Sequence, residues 1–453
     1  MAKSYYGQKE EWLANHTRKR KLAAGILLTT DHGSWAHLTN EEYKELCSGN
    51  LEYSLKSMLK EKGIVVNDSN VNTIINDFRE KCSYLFQGTS LHIVVPTLRC
   101  NLHCLYCHAN SRGLKEKGYD MSPEVAKKTV DFIFQSPSKA ITIEFQGGEP
   151  LVNFPMVKYI VEYAKEVNKK QGKNLKFSIV TNLTLMDEDK LKFLVDNSIG
   201  ICTSLDGPED VHNKNRGEYE KTVNWIKKIK SRGINLNAML LVTKNSLGRM
   251  KEIVDEYSDL GFRLIWVKPV NKLGSGIEKW KEIGINDEEF LSFWKEGLDY
   301  CIHKGIIENS TAIILKKILL KECYNFADLQ SPCGAAIAQL AYSQDGSIYT
   351  CDEARAYEIF KLGTVSDKYK DILCSREVKG IVQSSINDNP ACEVCAYKPY
   401  CGVCPVCSYA ERGNILSKLP DSRCRILKGM FDHIFEKMIT DEEYRKAFLS
   451  WVE

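Results

Sequence analysis

The chain has 453 residues, enough for two or three domains, and its 62 basic and 59 acidic side chains leave a formal net charge of +3 at pH 7. Such a balanced charge argues against nucleic acid or an anionic membrane as the main partner. The absence of an apolar run of about 18 residues or more argues against a membrane span, and the polar N-terminus lacks the apolar core of a secretory signal. We therefore expect a cytoplasmic protein whose 17 cysteines serve metal or redox chemistry rather than disulfides.

Residues 1–86 form a unit whose pattern differs from the rest of the chain. We expect two short strands within 25–38, joined by an Asp-His-Gly turn. Capping-type residues from Thr39 onward predict a helix start, and the helical spacing of apolar residues continues until Gly63. A hairpin followed by short helices suits either a binding module or a packing extension that caps the next domain.

In residues 87–272, strands alternate with amphipathic helices at intervals of roughly thirty residues, a spacing typical of βα units and a parallel sheet. The predicted strands are 91–97, 140–146, 175–181, 200–206, 234–243 and 263–270, and the helices between them include 123–135, 156–170 and 219–232. Six such units predict an α/β fold with a partial (β/α)6 barrel of the TIM type. Functional sites in such barrels lie at the C-terminal ends of the strands.

A cysteine loop follows the first predicted strand, with Cys100, Cys104 and Cys107 in the spacing C-x3-C-x2-C. Thiolates are soft ligands that suit iron–sulfur clusters or zinc, and a [4Fe–4S] cluster normally takes four of them. Three cysteines in one loop can hold three irons and leave the fourth for a ligand that is not protein. The alternative, a helix that buries three thiols on one face, is disfavoured because the loop follows a strand directly.

Residues 273–330 predict a helical bridge that packs on the barrel, and residues 331–425 form a cysteine-rich region before a C-terminal amphipathic helix at 426–453. With the isolated Cys374 set aside, this region offers eight cysteines, the number that two fully ligated [4Fe–4S] clusters require: Cys333, Cys351, Cys392, Cys395, Cys401, Cys404, Cys407 and Cys424. Paired C-x2-C motifs are also a zinc-ribbon signal. We favour iron–sulfur clusters because the first loop already implies cluster assembly.

The first cysteine loop, with aromatic Tyr106 before its third cysteine, resembles the signature of the radical S-adenosylmethionine (SAM) enzymes. The resemblance implies that the open iron binds SAM and that reductive cleavage yields a 5′-deoxyadenosyl radical. Cys100, Cys104 and Cys107 would then be the catalytic, cluster-binding residues. An electron donor such as a flavodoxin or ferredoxin would be a partner.

Motifs at other predicted strand ends resemble the SAM-binding positions of the same family. The Gly-Gly-Glu-Pro motif at 147–150 would bind the SAM amino group, since glycines allow close backbone approach. Ser204 and Arg216 belong to a pattern resembling S-x-D-G…H-x3-R and would contact the SAM carboxylate or ribose; for His212 a purely structural role is an equal alternative. The implied SAM-contacting set is Tyr106, Gly147, Gly148, Glu149, Pro150, Thr181, Asn182, Ser204, Arg216 and Met239.

The cysteine-rich region resembles the SPASM extension of radical SAM enzymes, which carries two auxiliary clusters, so that three [4Fe–4S] clusters are implied in all. By this resemblance the nearer auxiliary cluster takes Cys333, Cys351 and Cys404 or Cys407, and the outer one takes Cys392, Cys395, Cys401 and Cys424. The family's usual spacing after the third cysteine of the knot is x3, whereas this chain offers x2 and x5. The choice between Cys404, Cys407 or both therefore stays open.

Segments 92–100, 328–342, 349–353 and 397–405 resemble the maturases of the His-Xaa-Ser peptide systems. The match is weaker in residues 1–86, whose predicted elements resemble winged-helix modules that bind leader peptides. The resemblance implies a ribosomally made precursor peptide as partner and an oxidative intramolecular crosslink, of C–C, thioether or ether type, as product.

Asp352 and Glu353, which follow a predicted cluster ligand, are candidates for proton transfer, with a solvated pair as the alternative. Other functions also stay open. An anaerobic sulfatase-type maturase, which oxidises Ser or Cys, would not need a leader-binding module. A peptide epimerase would incorporate solvent deuterium without losing two hydrogens. A non-catalytic iron–sulfur electron-transfer protein would not cleave SAM.

Overall fold

The computed structural model describes residues 12–320, 334–385, 390–402, 404–415 and 421–453. Its N-terminal unit has a small core of its own, centred on Leu28, Leu38 and Leu59. The elements of this unit are β1 (Leu13–Ala14), β2 (Thr17–Leu22), β3 (Gly25–Thr30), β4 (Trp35–Leu38), α1 (Asn40–Ser48), α2 (Tyr53–Glu61), β5 (Val65–Val66) and α3 (Val71–Lys81). Strands β2, β3 and β4 form an antiparallel sheet, and β1 pairs with β5. The predicted hairpin within 25–38 is confirmed.

The predicted helix start at Thr39 is also confirmed, because its hydroxyl accepts from the amide of Glu42 while the Glu42 carboxylate accepts from the amide of Thr39. The helical segment that follows is two helices rather than one. Gly49 ends α1 with a φ of 78°, a left-handed conformation that glycine adopts without strain. Strand β2 and helix α3 were not anticipated.

The barrel region alternates strands and helices as expected. Its elements are β6 (Leu91–Val94), β7 (Arg99–Cys100), β8 (Arg112–Gly113), α4 (Pro123–Ile133), β9 (Ala140–Phe145), α5 (Phe154–Gln171), β10 (Asn174–Thr181), α6 (Glu188–Asp196), β11 (Ile199–Ser204), α7 (Glu209–Asn215), α8 (Tyr219–Ser231), β12 (Leu236–Val242), α9 (Met250–Asp259) and β13 (Leu264–Pro269). Strands β6, β9, β10, β11, β12 and β13 are neighbours in that order and run parallel. The six predicted parallel strands are thus confirmed. The first ends early, before Pro96, which has no amide hydrogen to donate.

The sheet extends beyond these six strands at both edges. The remaining elements are α10 (Trp280–Ile283), α11 (Asp287–Lys304), β14 (Ile307–Glu308), α12 (Asn309–Leu319), β15 (Gln339–Tyr342), β16 (Ser347–Tyr349), β17 (Lys361–Thr364), α13 (Tyr369–Leu373), α14 (Arg376–Ser385), α15 (Pro390–Glu393), α16 (Pro405–Arg412), α17 (Ser422–Thr440) and α18 (Glu442–Ser450). Strand β14 joins β13, and β15 pairs with β6, so the cysteine-rich region continues the barrel sheet. The predicted C-terminal helix is two helices that meet at Asp441, which caps α18.

Burial alternates along the barrel strands with a period of two. One face of β9, β11 and β13 carries fully buried residues such as Ile143, Ile201 and Ile265, which belong to the same core as the helices. The residues between them are only half-buried. We call this second face, which points away from the helices, the inner face. None of the described helices combines the length and apolar content that a membrane crossing requires.

The N-terminal unit is attached to the cysteine-rich region and to α17. Arg18 is buried, with 2% of its side chain exposed, and it donates to Asp31 at 2.6 Å and to the Glu393 carbonyl and carboxylate at 2.6 and 3.0 Å. The Thr29 hydroxyl donates to the Ala396 carbonyl at 2.6 Å, and Trp35 packs edge-on against the ring of Phe435. These polar and aromatic contacts hold the unit against residues 393–435.

Candidate active site

The cysteine loop lies after β6 and is held at both ends. At its start, the Asp120 carboxylate accepts from the Thr97 hydroxyl at 2.6 Å and from two nitrogens of Arg99 at 2.9 and 2.6 Å. At its end, the amide of Ser275 donates to the Cys107 carbonyl at 3.0 Å. A Cβ on Gly274 would lie 2.2 Å from the same carbonyl oxygen, so only glycine fits there. Sequence reasoning missed Asp120, Gly274 and Ser275, although the Gly-Ser-Gly run signals a tight turn.

The three loop thiols differ in their electrostatic surroundings. Burial raises the pKa of Cys100 to about 12 and that of Cys104 to about 11. Burial also opposes ionisation of Cys107, but His108 and hydrogen bonding with Ser111 outweigh it and lower the pKa of that thiol. Metal coordination deprotonates a thiol outright, so a positive centre bound by this loop would offset the cost of ionising the two buried thiols.

The thiols of Cys404 and Cys407 lie close together. Among the described residues, the one set of three metal-ligating atoms that all lie within 4.8 Å of one another is Glu353, Cys404 and Cys407. The three loop cysteines are not such a set.

A buried carboxylate, Asp206, organises the end of β11. It accepts from the Tyr106 hydroxyl, from Asn215 at 3.1 Å and from Arg216 at 3.2 Å, and the Arg216 guanidinium lies 4.9 Å from the centre of the Tyr106 ring. Two predicted SAM-contacting residues, Tyr106 and Arg216, are thus brought together by a residue that the prediction omitted, although it stands in the S-x-D-G pattern. Ser204 ends β11 beside this group, half-buried.

His212, whose role the sequence left open, is hydrogen-bonded to the backbone of Asp206. Its side chain is buried, and its Nδ1 accepts from the amide of Asp206 at 3.3 Å. Burial lowers the pKa of His212 to about 4, so the ring is neutral at physiological pH.

The Gly-Gly-Glu-Pro motif joins the cysteine loop to the ends of β9 and β10. A Cβ on Gly147 would lie 2.4 Å from the Thr97 carbonyl oxygen, and one on Gly148 would lie 2.3 Å from the Arg99 carbonyl oxygen. The buried Glu149 carboxylate accepts from the Thr181 hydroxyl at 2.6 Å and from the Asn182 amide at 2.8 Å. Three predicted SAM-contacting positions, Glu149, Thr181 and Asn182, therefore meet in one hydrogen-bonded network. Met239 lies half-buried on the inner face of β12, and Pro150 is buried directly after Glu149.

Asp352 connects the two cysteine-bearing regions. It follows Cys351, which is buried after β16, and it accepts from His108 at 2.6 Å and from two nitrogens of Arg355 at 2.9 and 2.6 Å. With 12% of its side chain exposed, Asp352 is not a solvated residue. Glu353 instead accepts from Asn271 at 3.4 Å and lies beside Cys404 and Cys407.

The structure brings together the four cysteines predicted for the outer cluster. Burial raises the pKa of Cys401 to about 12, and Cys395, Cys424 and Cys392 raise it further through their own charges. Burial, followed by the charges of Cys395 and Cys424, raises the pKa of Cys392 to about 11. Cys333, predicted for the nearer cluster, lies outside the described residues.

Part of this chain matches a known protein family, and most of it is similar to two known enzymes. Residues 94–257 match the Radical SAM superfamily. The chain is 26% identical over 382 residues to the cysteine-type anaerobic sulfatase-maturating enzyme of Clostridium novyi, across 81% of this chain and 99% of that protein. It is 23% identical over 450 residues to the radical SAM cyclopropyl synthase TigE of Paramaledivibacter caminithermalis, across 90% of this chain and 91% of that protein.

Two solved structures share the fold. The enzyme anSMEcpe with bound AdoMet superposes with a TM-score of 0.66 at 21% identity, covering 77% of this chain and 98% of its own. Streptococcus suis SuiB bound to the precursor peptide SuiA superposes with a TM-score of 0.56 at 15% identity, covering 90% of this chain and 98% of its own.

Proposed function

Since residues 94–257 form a radical SAM domain, we propose that this enzyme installs an oxidative intramolecular crosslink in a ribosomally made precursor peptide. Cys100, Cys104 and Cys107 would hold a [4Fe–4S] cluster that is reduced by a flavodoxin or ferredoxin. When bound, the cluster and SAM supply a 5′-deoxyadenosyl radical for hydrogen abstraction. The cysteine-rich region would act as a SPASM domain with two auxiliary clusters, which can accept the electron that bond closure releases.

The observation that carries this proposal is the N-terminal unit. It has its own core, it is fixed to the cysteine-rich region through the buried Arg18, and its helix α3 buries no residue. Ile75 and Phe78, three residues apart on α3, are 42% and 46% exposed. Neighbouring apolar side chains on an exposed helix face are typical of a peptide-docking surface. The likeness to TigE and to peptide-bound SuiB extends over 90% of the chain, which supports a leader-binding module.

A sulfatase-type maturase is the second candidate. It is favoured by the higher sequence identity to the Clostridium novyi enzyme and by the higher TM-score of anSMEcpe. That alignment uses 99% of the Clostridium protein but leaves about a fifth of this chain uncovered. The uncovered part needs a function that a sulfatase maturase does not require.

If a neighbouring reading frame encodes a short peptide, mass spectrometry of that peptide after anaerobic co-expression tests the proposal. We expect a loss of two hydrogens per crosslink, and no change when Cys100, Cys104 and Cys107 are replaced by Ala. In deuterated solvent, incorporation of deuterium into the peptide without the loss of two hydrogens would indicate an epimerase. Reduced protein that does not cleave SAM would indicate an electron-transfer protein.

A double variant, Ile75→Ser with Phe78→Ser, tests whether α3 docks the precursor peptide. Loss of an apolar docking face should reduce peptide modification at limiting peptide by about tenfold or more, with SAM cleavage in the absence of peptide unchanged. Val195→Ser on α6, where the side chain is 44% exposed, is the matched control. Unchanged peptide modification in the double variant would show that this face of α3 does not dock the peptide.

A further inference from the structure

The inner face of the barrel carries charged side chains that the proposed SAM site does not use. Half-buried residues face this side from every strand between β9 and β13, among them Glu144, Ser178, Cys202, Met239, Trp266 and Lys268. Their partial exposure contrasts with the fully buried residues that alternate with them. The inner face therefore borders space that solvent can reach.

Glu144 and Lys268 stand on opposite sides of this space. Glu144 is on β9, where its carboxylate accepts from Gln146 at 2.6 Å and from Ser178 at 3.0 Å. Lys268 is on β13, the last of the six parallel strands. The thiol of Cys202, on β11 between them, is influenced by both: after burial, which raises its pKa to about 12, Glu144 raises the pKa and Lys268 lowers it.

Among the described residues, Lys268 has no anionic partner. Its ammonium lies 5.0 Å from the centre of the Trp266 ring, two residues earlier on the same face, and no carboxylate among the described residues lies within 4.0 Å of it. A half-buried cation loses part of its hydration, and an aromatic ring compensates only part of that loss. An anion that entered the inner face would complete the environment of this ammonium.

Lys268 lies toward the C-terminal ends of the barrel strands. Lys268 pairs with Leu241 near the C-terminal end of the sheet, and Trp266 pairs with Met239, a predicted SAM-contacting residue. Sites in parallel barrels lie at this end of the strands. An anion held by Lys268 would thus belong to a molecule that lies close to the bound cofactor.

We propose that Lys268, supported by Trp266, binds a carboxylate of the peptide substrate, an inference that rests on the proposed peptide-modifying function. The carboxylate belongs either to an Asp or Glu side chain beside the modified residue or to the C-terminus of the peptide. Lys268 thereby selects which segment of the peptide is presented to the cofactor.

Chemical footprinting tests this binding without turnover. The reconstituted, SAM-loaded protein is acetylated with an N-hydroxysuccinimide ester in the presence of three probes: acetyl-Gly-Glu-Gly-amide, acetyl-Gly-Gln-Gly-amide and acetyl-Gly-Gly-Gly with a free carboxylate. We expect saturable protection of Lys268 by the first or the third probe but not by the second. Lys176, exposed on the same face near the N-terminal end of β10, should be acetylated equally in all samples. Equal acetylation of Lys268 with all three probes, or protection by SAM alone, would overturn the proposal.

Kinetics with the peptide of the co-expression experiment provide the second test. Lys268→Gln should raise KM for the peptide by roughly tenfold to a hundredfold, as expected for a lost charged hydrogen bond, with kcat and the KM for SAM little changed. Lys268→Arg should recover most of the loss, and Lys176→Gln should have no effect. Replacing the recognised Asp or Glu by its amide, or amidating the C-terminus, should cause no further loss in Lys268→Gln.

The outcomes distinguish this proposal from the proposed function. If the wild-type enzyme leaves the peptide unmodified, the crosslinking function is rejected, while the footprint still decides whether Lys268 binds carboxylates. If the peptide is modified and Lys268→Gln has an unchanged KM, the Lys268 proposal is rejected and the crosslinking function stands.

Discussion

The barrel and the N-terminal unit both contain buried charged groups, but they stabilise them in different ways. In the barrel, Asp206 is completely buried and its partners, including Arg216, lie inside the same domain. In the N-terminal unit, Arg18 is buried while its partners Asp31 and Glu393 remain 46% and 51% exposed. Removing one member of the barrel pair leaves a buried charge, whereas removing Arg18 leaves carboxylates that water can reach. We infer that the barrel has a fixed internal framework and that the unit is a more readily separable attachment.

The largest effect is expected from Asp206→Ala. The variant leaves the guanidinium of Arg216 without its counter-charge, which should lower the free energy of unfolding by about 3–5 kcal/mol. Urea denaturation at neutral pH measures this. The matched control is Asp210→Ala, which removes an exposed carboxylate paired with Arg249 and should cost less than about 1 kcal/mol. Similar losses in both variants would contradict the distinction between the buried and exposed pairs.

A second effect concerns pH at the junction of the barrel with the cysteine-rich region. His92 is buried on β6, where it is hydrogen-bonded to Tyr342 of β15 at 2.8 Å. Burial lowers the pKa of His92 to about 3. Between pH 6.5 and 4 the unfolded chain takes up a proton that the folded chain does not, so stability falls as the pH falls. His92 should account for a loss of about 3 kcal/mol over this range.

The double variant His92→Phe with Tyr342→Phe tests this pH dependence. It replaces both hydrogen-bonding partners, so its stability at pH 7 should change little. Urea denaturation at a series of pH values should then give a shallower dependence than in the wild type. Parallel curves for the two proteins would show that His92 is not responsible.

A smaller, local effect is expected from Arg18→Ala. Loss of its hydrogen bonds to Asp31 and Glu393 should lower the opening free energy of the N-terminal unit by about 2 kcal/mol. Hydrogen exchange should accelerate in β2 and β3 and leave β10 and β11 unchanged. Acceleration throughout the barrel would show that the unit is part of the same cooperative framework.

The smallest effect is expected from Arg20→Ala, next but one along β2. Arg20 is 45% exposed and pairs with Asp432 of α17. An exposed ion pair should contribute less than about 1 kcal/mol, so exchange in β2 should change much less than in Arg18→Ala. Equal acceleration of exchange in the two variants would mean that the burial of Arg18 does not increase the stability of the N-terminal unit.

The same contrast explains what the sequence could predict. The barrel strands follow from apolar runs at regular spacing, and the cysteine loop from local spacing alone, so both are accessible without coordinates. Strand β2, Thr-Arg-Lys-Arg-Lys-Leu, has no apolar alternation. One of its two buried residues, Arg18, is a cation whose partner Glu393 lies 375 positions away. Propensity and periodicity contain no information about such a pair.

In the candidate site, too, some residues could be predicted from the sequence and others could not. Tyr106, Glu149 and Arg216 were found through motifs. Asp206 was missed because its hydrogen bonds to Tyr106 and Arg216 depend on how the fold brings separate segments together. For Asp352 the sequence left proton transfer and a solvated pair as alternatives, and the structure shows it bound to His108 across 244 positions of sequence. Long-range contacts of this kind decide which titratable groups are paired, and only the fold supplies them.

The pairing of β15 with β6 has one further consequence. Strand β6 is hydrogen-bonded to β9 on one side and to β15 on the other. The cysteine-rich region therefore cannot move away from the barrel without breaking main-chain hydrogen bonds. Any substrate must therefore enter and leave the enzyme by a route that does not require β6 and β15 to separate.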